Sequence, residues 1–151
     1  MEFPQTQEKT IYSIYRLKKF RYISPIVPGH VMICPKRVVP RVEQLNKEEV
    51  IDLALSCHKV APVLQKHFNA TALNISTQDG PDAGQSIPHV HYHILPRKPN
   101  DFPNTDDIYK ELQKDKQAMI DDALRKKRSI EEMQEECLAL RKLFPDNQPQ
   151  D

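Results

Sequence analysis

At 151 residues with 38% hydrophobic content, the chain is long enough for one packed domain and short for two. Its 22 basic and 21 acidic residues leave a formal net charge of +1, which excludes an overall field that would draw it to nucleic acid or an anionic membrane; any anion site has to be local. Residues 1–9 are polar, no later run approaches the ~20 apolar residues of a membrane span, and three scattered cysteines, Cys34, Cys57 and Cys137, read as reduced buried thiols, which together predict a soluble protein of the cytoplasm, with the nucleus also compatible.

Residues 10–17, with Ile11, Tyr12, Ile14 and Tyr15, and residues 20–24 carry a β-branched and aromatic bias on either side of Lys18-Lys19, which predicts a hairpin. After the turn signal Pro25-Ile26-Val27-Pro28-Gly29, residues 30–34 read as a third strand, with His30 where the turn enters it. Asn46 followed by Glu49 matches a capping box, and Val50, Leu53, Ala54, Cys57, Val60, Ala61, Leu64 and Phe68 recur at helical spacing; the long helix they predict should bend or break at Pro62. Residues 71–77 read as a fourth strand. The following loop, Gln78-Asp79-Gly80-Pro81-Asp82-Ala83-Gly84-Gln85-Ser86, holds two of only three glycines, which suggests a shaped loop whose amides can face an anion.

The fifth strand is Pro88-His89-Val90-His91-Tyr92-His93-Ile94-Leu95-Pro96-Arg97. Histidines alternate with strand formers, so an extended conformation puts three imidazoles on one face and apolar side chains on the other. Beyond it, residues 98–128 are polar and charged, with Ile108 and Leu112 at helical spacing, and read as a mobile, partly helical excursion. Ser129 with Glu132 forms a second capping box, and Ile130, Met133, Cys137, Leu140 and Phe144 make the apolar stripe of a terminal helix over 129–144 that packs back on the body. The chain thus reads as a single domain over 1–151 with its core at about 10–98.

Three readings compete for the histidines. A metal site is possible for His-x-His on a strand, but His89 and His93 would have Cα atoms ~13 Å apart, awkward for rings that must both approach ~2 Å of one ion, and no motif supplies the missing ligands. A structural role, with the rings satisfied by backbone, is the ordinary reading of one histidine and a weaker one for three in phase beside a glycine-bearing loop. The third reading is phosphorus chemistry: neutral imidazole is a nucleophile near pH 7 and also leaves well. Attack through Nε2 requires the Nδ1 proton to be held by an acceptor, and a backbone carbonyl along the strand is within reach. On this reading His91, flanked on both sides, is the nucleophile.

The run Gly84-Gln85-Ser86-Ile87-Pro88-His89-Val90-His91-Tyr92-His93-Ile94 resembles the signature of the histidine triad (HIT) superfamily. Leu95-Pro96-Arg97, the loop from Gln78 to Gln85, Val27-Pro28-Gly29-His30-Val31, Asp101-Phe102, Asp107-Ile108-Tyr109-Lys110-Glu111-Leu112 and Glu131-Glu132-Met133 are similar to the fragile histidine triad branch. The resemblance implies an α+β fold, a five-stranded antiparallel sheet with a long helix and a C-terminal helix, joined to a second sheet in a homodimer. It also implies hydrolysis of dinucleoside polyphosphates, diadenosine triphosphate above all, through a nucleotidyl-histidine. Carried onto this chain, His91 attacks the α-phosphorus, His89 and His93 flank it, His93 bonds a phosphate or leaving-group oxygen, and His30 lies behind them. Gln85 belongs to the catalytic set, and Gln78, Gly84, Gln85, Ser86 and Ile87 contact substrate, with Tyr109 on a loop near the site. Magnesium or manganese arrives with the polyphosphate, and no protein-bound metal is expected. The branch usually places a ribose-binding asparagine shortly before the proline matched by Pro25; Phe20-Arg21-Tyr22-Ile23-Ser24 has none, and Ser24 is the weak substitute. Phosphoramidate hydrolysis, as in the other main branch, and a slow nucleotide-sensing module are the alternatives.

Overall fold

The computed structural model describes residues 25–118 and 129–144. Its elements are β1 (Val31–Ile33), α1 (Lys47–His67), β2 (Ala72–Thr77), β3 (Tyr92–Arg97), α2 (Asp107–Ala118) and α3 (Ile130–Lys142), with single 3-10 turns at Val42–Gln44 and Pro81–Ala83. The strands make one antiparallel sheet in the order β1, β3, β2, so the fold is α+β. They correspond to the third, fourth and fifth expected strands. The hairpin predicted over 10–17 and 20–24 lies outside the described residues.

Helix α1 begins where the capping box places it: Asn46 Oδ1 accepts the Glu49 amide at 2.8 Å, and the Glu49 carboxylate accepts the Asn46 amide at 2.9 Å. Glu49 also receives Arg37 Nη2 at 2.7 Å, which lets its side chain turn inward and leaves Val50 47% exposed. The buried stripe is therefore Leu53, Ser56, Cys57, Val60, Ala61 and Leu64, and the expected members Val50 and Ala54 fall outside it. The helix runs unbroken through Pro62. Pro62 and His58 are both exposed residues, so the hydrogen bond that proline removes is not one lost from the core.

The sheet is covered on both faces. Ile94 joins Val31, Ile33 and Val90 against Leu53, Val60 and Leu64 of α1, with Leu140 and Phe144 closing the cluster. Leu95, pointing the other way, packs with Val27, Ile108 and Leu112. The alternation expected of the histidine stretch holds for its side chains, with Val90 and Ile94 buried and Tyr92 packed on the α1 side and the His91 and His93 rings together, 5.0 Å apart; its extent as regular strand does not. Regular strand starts only at Tyr92, because the Val90 amide leaves the ladder and donates to Val39 O at 2.7 Å. His89 and His91 precede the strand, and only His93 lies on it.

At the far end of β3 the buried Arg97 guanidinium grips Asp101 at 2.6 and 2.9 Å and donates to Asn74 Oδ1 at 2.6 Å, with Phe102 stacked 5.1 Å away. That clasp and α2 organise the first part of the segment expected to be mobile; residues 119–128 lie outside the description. Helix α3 starts at the second capping box, where the Ser129 amide donates to Glu132 Oε2 at 2.7 Å and Ser129 Oγ accepts the Glu132 amide at 3.1 Å. Leu140 and Phe144 are buried as expected and Met133 is half-buried, while the side chains of Ile130 and Cys137 are not described.

Candidate active site

Backbone groups, and for His93 the ring of His30, decide the protonation pattern of the histidines. His30 enters β1 from a turn in which Gly29 takes φ +79°, and its buried ring accepts the Ile26 amide on Nδ1 at 3.4 Å. An amide can only donate, so the His30 proton sits on Nε2, which faces His93 Nδ1 at 2.9 Å. His93 then holds its own proton on Nε2. That atom is buried and has no hydrogen-bond partner among the described residues, so a donor is aimed at whatever enters the site.

The same logic runs in the opposite sense for His91. Its Nδ1 lies 2.7 Å from the carbonyl of His89, an atom that can only accept, so the proton is on Nδ1 and the lone pair on Nε2. The acceptor expected along the chain is thus the carbonyl two residues earlier. The rings of His91 and His93 stand edge to face with centroids 5.0 Å apart, placing a nucleophilic lone pair beside a hydrogen-bond donor. The His89 ring accepts the Val39 amide on Nδ1 at 3.2 Å, which puts its proton on Nε2.

Burial holds His93 neutral. Loss of water contact, and secondarily repulsion from His91, lowers its pKa from the ordinary 6.5 to about 3. Between those two values the unfolded chain binds a proton that the folded chain refuses, so stability falls as pH drops from 6.5 toward about 3. The slope contributed by this ring is at most ~1.4 kcal/mol per pH unit. Urea midpoints of the wild type and His93→Gln measured between pH 7 and 5 check this: the variant should lose less stability on acidification, and equal losses would refute the assignment.

The glycine-bearing loop runs from the end of β2 to His89, and side chains hold its frame. Asp79 receives Arg41 through Nε and Nη2, each at 3.2 Å, and the Val42 amide at 2.9 Å. The pair holds the Asp79 carboxyl below its usual range, the Val42 amide being the larger cause and Arg41 the next. Gln78 lies against Gly84, where a Cβ would meet its Nε2 at 2.7 Å. Gln85 has a bracing role that its residue type did not announce: Oε1 accepts the Gly80 amide at 2.7 Å and Nε2 donates to Pro40 O at 2.9 Å. Ser86 and Ile87 are half-buried and lead into His89. Tyr109 is 48% exposed, and its hydroxyl accepts Asn74 Nδ2 at 3.4 Å. Asn74 opposes Leu95, one same-face step along the sheet from the Ser76–His93 pair.

The structure adds residues that the sequence reading passed over. Val39 supplies both an amide to His89 and a carbonyl to Val90. Thr77 Oγ1 donates to the His91 carbonyl at 2.8 Å, and Ser76, opposite His93, has a buried hydroxyl without a hydrogen-bond partner among the described residues. No residue type in these positions signals such roles, because each depends on which strand lies alongside. Among the described residues no three His, Cys, Asp or Glu side chains are grouped to hold a metal ion.

The HIT domain family model matches residues 4–100. The bis(5'-adenosyl)-triphosphatase of Dictyostelium discoideum is 47% identical over 125 residues, covering 83% of this chain and 78% of that protein. The asymmetrical bis(5'-nucleosyl)-tetraphosphatase of Schizosaccharomyces pombe is 40% identical over 162 aligned positions, covering 89% of each. The crystal structure of the Caenorhabditis elegans NitFhit protein superposes with a TM-score of 0.64 at 41% identity, covering 83% of this chain, which spans only 24% of that longer one. Together with the triad geometry, these matches show that the chain belongs to the HIT-domain family, in its fragile histidine triad branch.

Proposed function

We propose that the chain hydrolyses dinucleoside polyphosphates, cleaving diadenosine triphosphate-like substrates to AMP plus ADP. The observation that carries the reading is the opposed tautomer pair: His91 presents the Nε2 lone pair while neighbouring His93 presents an Nε2–H that no described residue accepts. Names of the Dictyostelium and Schizosaccharomyces relatives, a triphosphatase and a tetraphosphatase, support the same substrate class.

In the proposed reaction His91 Nε2 attacks the α-phosphorus and the bond from that phosphorus to the bridging oxygen breaks, releasing ADP. His93 Nε2–H stabilises charge on the phosphate or departing oxygen. As the His91 ring becomes cationic in the nucleotidyl adduct, its Nδ1–H bond to the His89 carbonyl strengthens, which favours attack. Water then displaces the ring, yielding AMP and regenerating His91. Gln78, Gly84, Ser86 and Ile87 line the approach to the polyphosphate, His89 stands beside the nucleophile, and His30 sets the tautomer of His93. Gln85 braces this loop, and its Nε2 keeps a second N–H beyond the one given to Pro40 O, which can serve a phosphate oxygen. Magnesium or manganese is part of the substrate on this reading, screening the polyphosphate it accompanies. A homodimer with a continued sheet is part of the same proposal. Among the described residues β2 is paired on one side only, and Ile75 on it is 47% exposed.

Incubation with diadenosine triphosphate and magnesium, resolved by chromatography, should give AMP and ADP in equal amounts. A panel including diadenosine tetraphosphate and adenosine phosphoramidate ranks the substrates. Absence of AMP across pH 6 to 8, or faster turnover of the phosphoramidate than of either dinucleotide, would overturn the proposal.

A further inference from the structure

The nucleophile sits just outside the sheet. Pairing between β2 and β3 ends at Thr77 opposite Tyr92, so the His91 peptide precedes the last ladder pair. Its carbonyl is held instead by a side chain, Thr77 Oγ1 at 2.8 Å. On the other side of the same short segment, Val39 receives the Val90 amide at 2.7 Å, and the His91 ring is tied back to the His89 carbonyl at 2.7 Å. The segment is thus pinned from Val39 on one flank and from Thr77 on the other.

We infer that Thr77 is a positioning residue for His91, fixing the peptide that follows the nucleophile and so the direction in which Nε2 points. The inference rests on the role proposed above for His91. A displacement well below the size of the ring moves a nucleophile off the line of attack on phosphorus, and a shift of ~1 Å can cost on the order of a hundredfold in rate. Threonine suits the task because its branched Cβ restricts χ1 and keeps the hydroxyl aimed. Thr77 is also the residue before Gln78, whose amide rests against Gly84, so one dipeptide ties the nucleophile to the phosphate-facing loop. Valine matches its shape and strand preference without the hydroxyl; serine keeps the hydroxyl and loses the branch.

The test compares Thr77→Val, Thr77→Ala and Thr77→Ser on diadenosine triphosphate, with kcat and KM determined separately, and follows the His91 Nδ1–H by nitrogen-resolved NMR. Loss of one neutral hydrogen bond at this point should lower kcat by roughly three- to tenfold in the valine and alanine variants, with KM nearly unchanged. The serine variant should retain most of the wild-type kcat. The His91 Nδ1–H should exchange faster with water in the valine and alanine variants than in the serine one. Unchanged kcat per folded molecule in valine and alanine variants overturns the inference, as does a serine variant no better than valine. Wild-type protein inactive on the whole panel refutes the proposed function by itself. In that event the NMR arm still judges Thr77: equal Nδ1–H exchange in wild type and Thr77→Val refutes it.

Discussion

Replacing His91 with asparagine is expected to lower kcat on diadenosine triphosphate by on the order of ten-thousandfold or more, with KM little changed. The size of the effect follows from what the ring supplies. Its Nε2 is the one lone pair whose tautomer is set for attack, through the 2.7 Å bond from Nδ1 to the His89 carbonyl. Asparagine keeps similar bulk and a donor for that carbonyl, so the segment pinned by Thr77 and Val39 should hold its shape and bind substrate. Its amide nitrogen has no nucleophilic lone pair, and the covalent route closes. Steady-state kinetics measure the loss, and mass spectrometry of quenched reactions should find a nucleotidyl adduct on the wild type and none on the variant. Residual turnover within tenfold of wild type would rule out His91 as nucleophile.

Gly29→Ala should destabilise the fold by about 3 kcal/mol or more and weaken catalysis in the molecules that remain folded. Two penalties coincide at this position. The backbone is at φ +79°, where a Cβ is strained, and that Cβ would lie 2.4 Å from the Phe68 ring. The Phe68 ring is packed against the core cluster and meets His67 edge to face at 4.8 Å, so swinging it away forfeits those contacts. Moving the turn instead shifts Ile26, whose amide sets the tautomer of His30, and through it the donor on His93. Urea unfolding reads the first effect, and kcat per folded molecule the second. A midpoint equal to wild type would show that the turn relaxes freely and that the close approach carries no energy.

How much of this was legible beforehand differs from element to element. Both capping boxes, Asn46 with Glu49 and Ser129 with Glu132, are formed as the sequence indicated, because each is closed within four residues and needs nothing from the rest of the fold. The burial of Glu49 was not legible, since it depends on Arg37 arriving from another part of the chain. Likewise the spacing of His89, His91 and His93 singled out the right stretch, while the single-strand geometry read from it was too regular. Periodicity assumes that a strand continues as long as its pattern does. Here Val39 draws the Val90 amide out of the ladder, and strand begins only at Tyr92.

The site divides in the same way. The bond from His91 to the His89 carbonyl is local, and its acceptor could be foreseen because any extended chain offers a carbonyl two residues back. The tautomers of His30, His93 and His89 are set by Ile26, by His30 and by Val39. Two of those three partners act through main-chain amides, which every residue but proline possesses and which leave no mark on composition. By itself the sequence determined the helix starts, the supply of imidazoles and the scarce glycines beside them, all properties of neighbours along the chain. Only the tertiary structure decided the tautomers of His93 and His89, and with them which ring presents a donor beside the His91 lone pair. That choice belongs to partners brought from distant segments, His30 for His93 and Val39 for His89, and until they meet nothing in the spacing tells these two rings apart.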